Sequence, residues 1–204
     1  MSVKVKICGV TTVADALHAA RAGADAIGLN FHPPSPRCVS LDTAAEIAAA
    51  LPSGVCRIGV FVDLPRARVA AIADHVGLDG LQFHGDEAPA LCAGWRRKTI
   101  KAVRVRAPHS ARAAAAAYAV DWLLADAYVA GVPGGTGARV PVEWLAGVGR
   151  QRLILAGGLT PETVADAVRA VRPAAVDVAS GVERAPGRKD AEKVERFIAN
   201  ARLA

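Results

Sequence analysis

The stretch Lys4–Thr12, KVKICGVTT, decides how this chain is read. Apolar residues stand at every second position, and the alternation ends on Cys8 followed at once by Gly9. That is the period of a β-strand whose last residue meets a tight turn. The unit then recurs. Short apolar runs appear as VKVKI, DAIGLNF, CRIGVFV, LDGLQFH, TIKAVRV, VDWLLAD, RLILAG and AAVDVAS. Between and after them lie helical patterns: VADALHAARAG, TAAEIAAAL, ARVAAIADHVG, APALCAGW, HSARAAAAAYA, PVEWLAGV, TPETVADAVRAV and KDAEKVERFIANA. Thr160 before Pro161 and Glu162 reads as a helix start, and Gly23 as a helix stop.

Alternating strands and helices with near-continuous apolar strands imply a parallel sheet covered by helices, either open and doubly wound or closed. Eight units favour a compact, single-domain α/β fold, the (β/α)₈ TIM barrel, spanning residues 1–204. Each unit has roughly 25 residues, near the minimum for a strand, a helix and two short loops. In either arrangement the chemistry belongs at the C-terminal ends of the strands.

Composition narrows the function classes. With 204 residues, 52% of them hydrophobic, the chain can bury a sizeable core as one domain. It shows no secretory h-region and no apolar run long enough to cross a bilayer, so the expectation is a cytoplasmic protein without a membrane partner. Cys8, Cys38, Cys56 and Cys92 are scattered without metal-ligand spacing, which reads as reduced thiols and no metal. A net charge of +6 suits nucleic acid, a membrane surface or a small polyanion steered into a positive mouth. The segment WRRKTIKAVRVR, Trp95–Arg106, raises the nucleic-acid alternative. Part of it fits a barrel strand, however, and no stacking module or groove-reading motif accompanies it, so no nucleic-acid partner is expected.

The residues just after the apolar runs are polar and rich in glycine. Three clusters fall near the last strands: GVPGGTG (Gly131–Gly137, with Gly135 and Gly137), AGGLT (Ala156–Thr160, with Gly157 and Gly158) and ASGVE (Ala179–Glu183, with Ser180 and Gly181). Glycine lets a backbone approach a ligand closely, and loops after strands 7 and 8 commonly hold phosphate in such barrels. The first cluster is not a nucleotide P-loop, because Ala138 stands where lysine would be needed.

Taken together the motifs resemble the phosphoribosylanthranilate isomerase family of tryptophan biosynthesis. The resemblance is carried by KICG (Lys6–Gly9), SPRCVS (Ser35–Ser40), GVFV (Gly59–Val62), LQFHGDE (Leu81–Glu87), Asp126 before GGTG (Gly134–Gly137), LAGGL (Leu155–Leu159) and DVASGVE (Asp177–Glu183). They occur in the family's order across nearly the whole chain. The chain departs from the family pattern at Ala125, at Ala138 and in DVAS for the commoner DVSS. The resemblance implies Cys8 as general base, Asp126 as general acid, Arg37 on the anthranilate carboxylate, and no cofactor. It also implies a small-molecule phosphoribosyl substrate, with the protein a monomer or homodimer. An isomerase acting on the histidine-pathway aminoaldose is the nearest rival, but such enzymes place an aspartate where Cys8 stands.

Both assigned groups need help from their surroundings. Asp126 must hold a proton at neutral pH, which asks for burial and nearby negative charge, while Cys8 must be drawn toward the thiolate. Period two sets Lys4, Lys6 and Cys8 on one face of a regular strand. Lysines along a barrel's centre would be unusual, but one near the top would favour the thiolate. Gln82 and His84 read as polar packing at the barrel top, and Asp177 as a residue that orders the interior or the glycine loops.

Overall fold

The computed structural model describes residues 2–126, 142–145 and 147–204. Gly135 and Gly137 lie outside the described residues, as does Ala138. Eight parallel strands close on themselves in sequence order: β1 (Lys4–Cys8), β2 (Ala26–Asn30), β3 (Cys56–Phe61), β4 (Gly80–Phe83), β5 (Lys98–Arg104), β6 (Trp122–Asp126), β7 (Leu153–Ala156) and β8 (Ala175–Val178). The α/β expectation is met in its closed form.

Around the barrel run α1 (Val13–Ala22), α2 (Leu41–Ala50), α3 (Arg66–Val76), α4 (Pro89–Cys92), α5 (Ser110–Ala117), α6 (Val164–Val171) and α7 (Ala191–Arg202). Local chemistry sets their ends. Thr12 accepts from the Asp15 amide at the start of α1, and Gly23 closes it at a φ of 100°, where a side chain would be strained. APALCAGW forms only the single turn of α4, and PVEWLAGV contributes a 3-10 turn over Val142–Leu145. The Thr160 start is displaced: residues 160–163 make a turn, with the Thr163 and Val164 amides donating to the Thr160 carbonyl, and α6 begins only at Val164.

Period two sorts each strand into two faces. Outward residues such as Val5, Ile7, Ile27, Leu29, Phe61, Leu81, Phe83 and Val176 join the layer between sheet and helices. Inward residues form a second, smaller cluster of Ile58, Ile100, Ala102, Leu124, Ile154, Ala156 and Ala175. The inner cluster contains no residue of β1, whose inward positions carry Lys6 and Cys8 instead. One side of the barrel's interior is therefore polar.

A short hairpin of β9 (Glu183–Ala185) and β10 (Arg188–Lys189), antiparallel and turning at Gly187 with φ 75°, follows β8. Nothing in the alternating pattern announces it. It returns Glu183 and Lys189 to the rim near β1.

Candidate active site

The site is built from the C-terminal ends of the strands. On the β1 side, Lys6 and Asp177 are register partners across the seam between β1 and β8. Their side chains are joined by a 2.8 Å ion pair, and both residues are buried, 3% and 7% exposed. Burial pushes the Lys6 ammonium down, but Asp177 and Cys8 outweigh it and the pKa ends above its ordinary value.

Cys8 stands above this pair at the end of β1, half-buried. Burial pushes its thiol up, the opposite of the shift expected from the sequence, and Asp177 adds to the rise. Lys6 and Lys189 pull the other way. Gly28, the register partner of Cys8 on β2, makes the arrangement possible: a Cβ there would sit 2.8 Å from the Cys8 sulfur and 3.0 Å from Lys6 Nζ.

Arg37, in the loop after β2, lies across Gly9, where a Cβ would stand 2.5 Å from the arginine Cδ. Gly9 itself has φ 69°. Arg37 donates through Nε and Nη2 to the two oxygens of Glu183, at 2.8 and 2.7 Å. The bond to Glu183 raises the Arg37 pKa, and the nearby Cys8 adds to it. Lys189 Nζ reaches the same carboxylate at 2.8 Å and the Ala179 carbonyl at 3.0 Å. Burial would raise the Glu183 pKa, but the two cations overcome it and hold the carboxyl below its ordinary range. The two-point grip fixes the plane of the guanidinium while leaving Nη1 free of it.

On the opposite side, Asp126 ends β6 in register with Arg104 of β5 and Ala156 of β7. Its carboxylate stands 3.6 Å from His84 Nε2, both side chains being a little under one-third exposed (27% and 29%). The burial asked of Asp126 is thus incomplete. His84 Nδ1 is 2.8 Å from the Gln82 amide nitrogen, which points the other ring nitrogen at Asp126. Gln82 is fully buried and its Oε1 has no partner among the described residues. His84 and Asp126 border a recess of about 390 Å³ that Arg104, Arg106 and Tyr118 also line.

The loops after β7 and β8 press together. Gly157 and Gly158 have φ of 90° and 64°, and the space a Gly158 Cβ would take is empty. Ser180–Val182 forms a single 3-10 turn. A Cβ on Gly181 would stand 1.9 Å from the Leu159 carbonyl oxygen, so only glycine allows the two loops to meet.

Of the residues singled out from the sequence, Cys8 and Arg37 come together at one side of the mouth. Asp126 stands on the other, and Gly157, Gly158, Ser180 and Gly181 gather after the last two strands. Sequence reasoning passed over Gly28, Glu183, Lys189 and the pairing of His84 with Asp126. A parity argument reaches His84, since it continues the inward period of Gln82 just beyond the end of β4, but nothing local marks the others. The basic stretch Trp95–Arg106 does not form a patch. Lys101 is buried against Glu87 at 2.7 Å, and Arg97 and Lys98 pair with Asp74 and Asp121. Among the described residues, no group of histidine, cysteine and carboxylate side chains could hold a metal, and no helix is long and apolar enough to cross a membrane.

A closed eight-stranded barrel with a thiol and a carboxylate at its C-terminal mouth and glycine loops after β7 and β8 defines a barrel enzyme of the proton-transferring kind. The family model for N-(5'phosphoribosyl)anthranilate (PRA) isomerase matches residues 5–200. An N-(5'-phosphoribosyl)anthranilate isomerase of Thiobacillus denitrificans is 54% identical over 205 residues, covering 100% of both chains. The phosphoribosyl anthranilate isomerase of Thermotoga maritima superposes with a TM-score of 0.91 at 39% identity, over 99% of this chain and 100% of that one. A phosphoribosyl anthranilate isomerase in complex with reduced 1-(o-carboxyphenylamino)-1-deoxyribulose 5-phosphate gives 0.86 at 38% identity, with 99% and 100% covered. The chain belongs to the N-(5'-phosphoribosyl)anthranilate isomerase family.

Proposed function

We propose that this chain, as one barrel domain over residues 1–204, converts N-(5-phosphoribosyl)anthranilate to 1-(2-carboxyphenylamino)-1-deoxyribulose 5-phosphate by an Amadori rearrangement, with Cys8 as base and Asp126 as acid. The reading is supported above all by the facing pair itself: a cation-flanked thiol at the end of β1 and a half-open carboxylate at the end of β6, on one rim.

The chemistry follows from that geometry. Asp126 gives its proton to the ring oxygen as the C1–O bond breaks, and the aniline nitrogen lone pair forms the iminium. The iminium acidifies the C2 proton, which Cys8 takes as thiolate, leaving an enolamine that tautomerises to the ketone. Asp126 is only partly shielded, so its carboxyl stays open to the bound substrate. His84 Nε2, its ring oriented by the Gln82 amide at Nδ1, faces the Asp126 carboxylate at 3.6 Å.

Arg37, its plane set by Glu183, holds the anthranilate carboxylate through its remaining N–H groups. The phosphate takes the loops after β7 and β8, with Gly157, Gly158, Ser180 and Gly181, together with Gly135 and Gly137. The enzyme works in the cytoplasm on a small phosphoribosyl molecule, as a monomer or homodimer.

The test follows the loss of phosphoribosylanthranilate fluorescence, with substrate made in situ, for wild type, Cys8→Ser and Asp126→Asn. Turnover by wild type and a fall of about 10²-fold or more in each folded variant are expected. Wild type turning over only the histidine-pathway aminoaldose would overturn the substrate assignment. Undiminished variants would move the proton transfers to other residues.

A further inference from the structure

Lys6 is the one charged residue of β1 buried inside the barrel, and the reaction as written above gives it no task. A lone cation there would be costly, and Asp177 offsets that cost. A pair of apolar residues would fill the same space more cheaply, as they do in the inner cluster on β3, β5, β6 and β7. The direction of the pair explains what the apolar alternative would lose. Lys6 Nζ bonds Asp177 at 2.8 Å, and the Cys8 sulfur borders the same small space beside Gly28 and acts on the ammonium electrostatically. Gly28 keeps the intervening space clear, since both the sulfur and Nζ lie within 3.0 Å of the point where its Cβ would stand.

We infer that Lys6 is a positioning residue for the proton transfer: braced by Asp177 beneath the mouth, its ammonium stabilises the thiolate form of Cys8 that accepts the C2 proton. This rests on the reading of Cys8 as base.

The other charged groups facing Cys8 cannot take over the task. Lys189, on β10, is committed to Glu183 and to the Ala179 carbonyl, and Arg37, in the loop after β2, to both oxygens of Glu183. Asp177, on β8, opposes the thiolate. β2 offers only Gly28 at this level. Among these cations Lys6 exerts the largest downward pull on the thiol, against the upward push of burial. As a thiolate takes up the proton, its attraction for Lys6 weakens while Asp177 keeps the ammonium in place, so the cation need not move during the cycle.

The inference is tested by the pH dependence of Cys8 alkylation with iodoacetamide, located by mass spectrometry, for wild type, Lys6→Met and Lys6→Met/Asp177→Asn. The double variant leaves no unpaired buried charge if the single one folds poorly. In Lys6→Met the midpoint of Cys8 alkylation is expected to rise by a pH unit or more, with about tenfold less thiolate at a given pH below it, and in the double variant, which also loses the opposing Asp177, to rise by less. The acidic limb of kcat/KM should move up in parallel, so that activity recovers toward wild type at high pH. In wild-type protein carrying ¹⁵N-lysine, the Lys6 Nζ resonance should step at the Cys8 midpoint, and Cys8→Ser should abolish that step. Activity lowered equally at all pH values, with the alkylation midpoint unmoved or the Nζ step absent, would overturn the inference. Because alkylation needs no substrate, that result is distinct from a failure of Cys8 as base, which would appear as retained turnover in Cys8→Ser.

Discussion

The two sides of the barrel mouth are built on different plans. Around Cys8 the charges are paired to one another, and all but the half-buried Arg37 are buried: Lys6 with Asp177, and Arg37 and Lys189 with Glu183. Around Asp126 the partners are few and open to solvent, a histidine at 3.6 Å and the exposed arginines Arg104 and Arg106 along the same recess. A thiol in dense surroundings is pushed toward the neutral form, so a base made from it needs fixed cations. A carboxylic acid that must hold a proton at neutral pH can instead take its negative neighbours from the bound substrate. On the proposed assignment, the base side is organised before substrate arrives, and the acid side is completed by it.

The largest expected break falls on the base side. Glu183→Gln removes the anion shared by buried Lys189 and half-buried Arg37 and should lower stability by about 3–5 kcal/mol in urea titration, since a buried charge loses its partner. The same carboxylate sets an acid limit. Its pKa is depressed in the folded chain, so its stabilisation is complete above the unfolded value of about 4.3 and is lost as pH falls through the folded value. Wild type should weaken steeply on acidification below about pH 5, and Glu183→Gln less so.

Next comes Gly28→Ala, whose methyl would meet the Cys8 sulfur, Lys6 Nζ and the Cys8 Cα at 2.8, 3.0 and 3.1 Å. Because the last of these is backbone, the strand end must shift, and turnover should drop by about 100-fold while far-UV circular dichroism keeps its barrel signature. Should kcat/KM survive, the tight packing of the base side would have no catalytic weight.

On the acid side the effects should be smaller. His84→Ala is expected to lower kcat by about tenfold with KM little changed, because solvent can still reach Asp126 and return its proton. A larger loss would mean that the acid side is as tightly organised as the base side. Farther out, Lys98→Ala, which removes a mostly exposed partner of Asp121, should change stability by less than about 1 kcal/mol.

The architecture was legible from periodicity because it depends on local rules. Strands that alternate at two and helices that repeat near three and a half must bury their apolar faces, and eight of each leave few ways to do so. Cys8, Asp126, Arg37 and the glycine clusters could be singled out as candidates because each follows an apolar run, where a barrel opens. The ordered motifs named the family for the same reason. Chain separation hid the rest. Lys6 and Asp177 stand 171 residues apart, and Arg37 and Glu183 146 apart. Neither pair leaves a mark in its own neighbourhood. Even the sign of the Cys8 shift could not be read from its sequence neighbours, because it is the difference between burial, which only packing sets, and cations that closure of β1 on β8 and the return of the β9–β10 hairpin bring to the sulfur. Residue types and their periods determine which elements form and where a barrel opens; which charges meet across that opening depends on ring closure, because Coulomb interactions act over a few ångströms of space and take no account of distance along the chain.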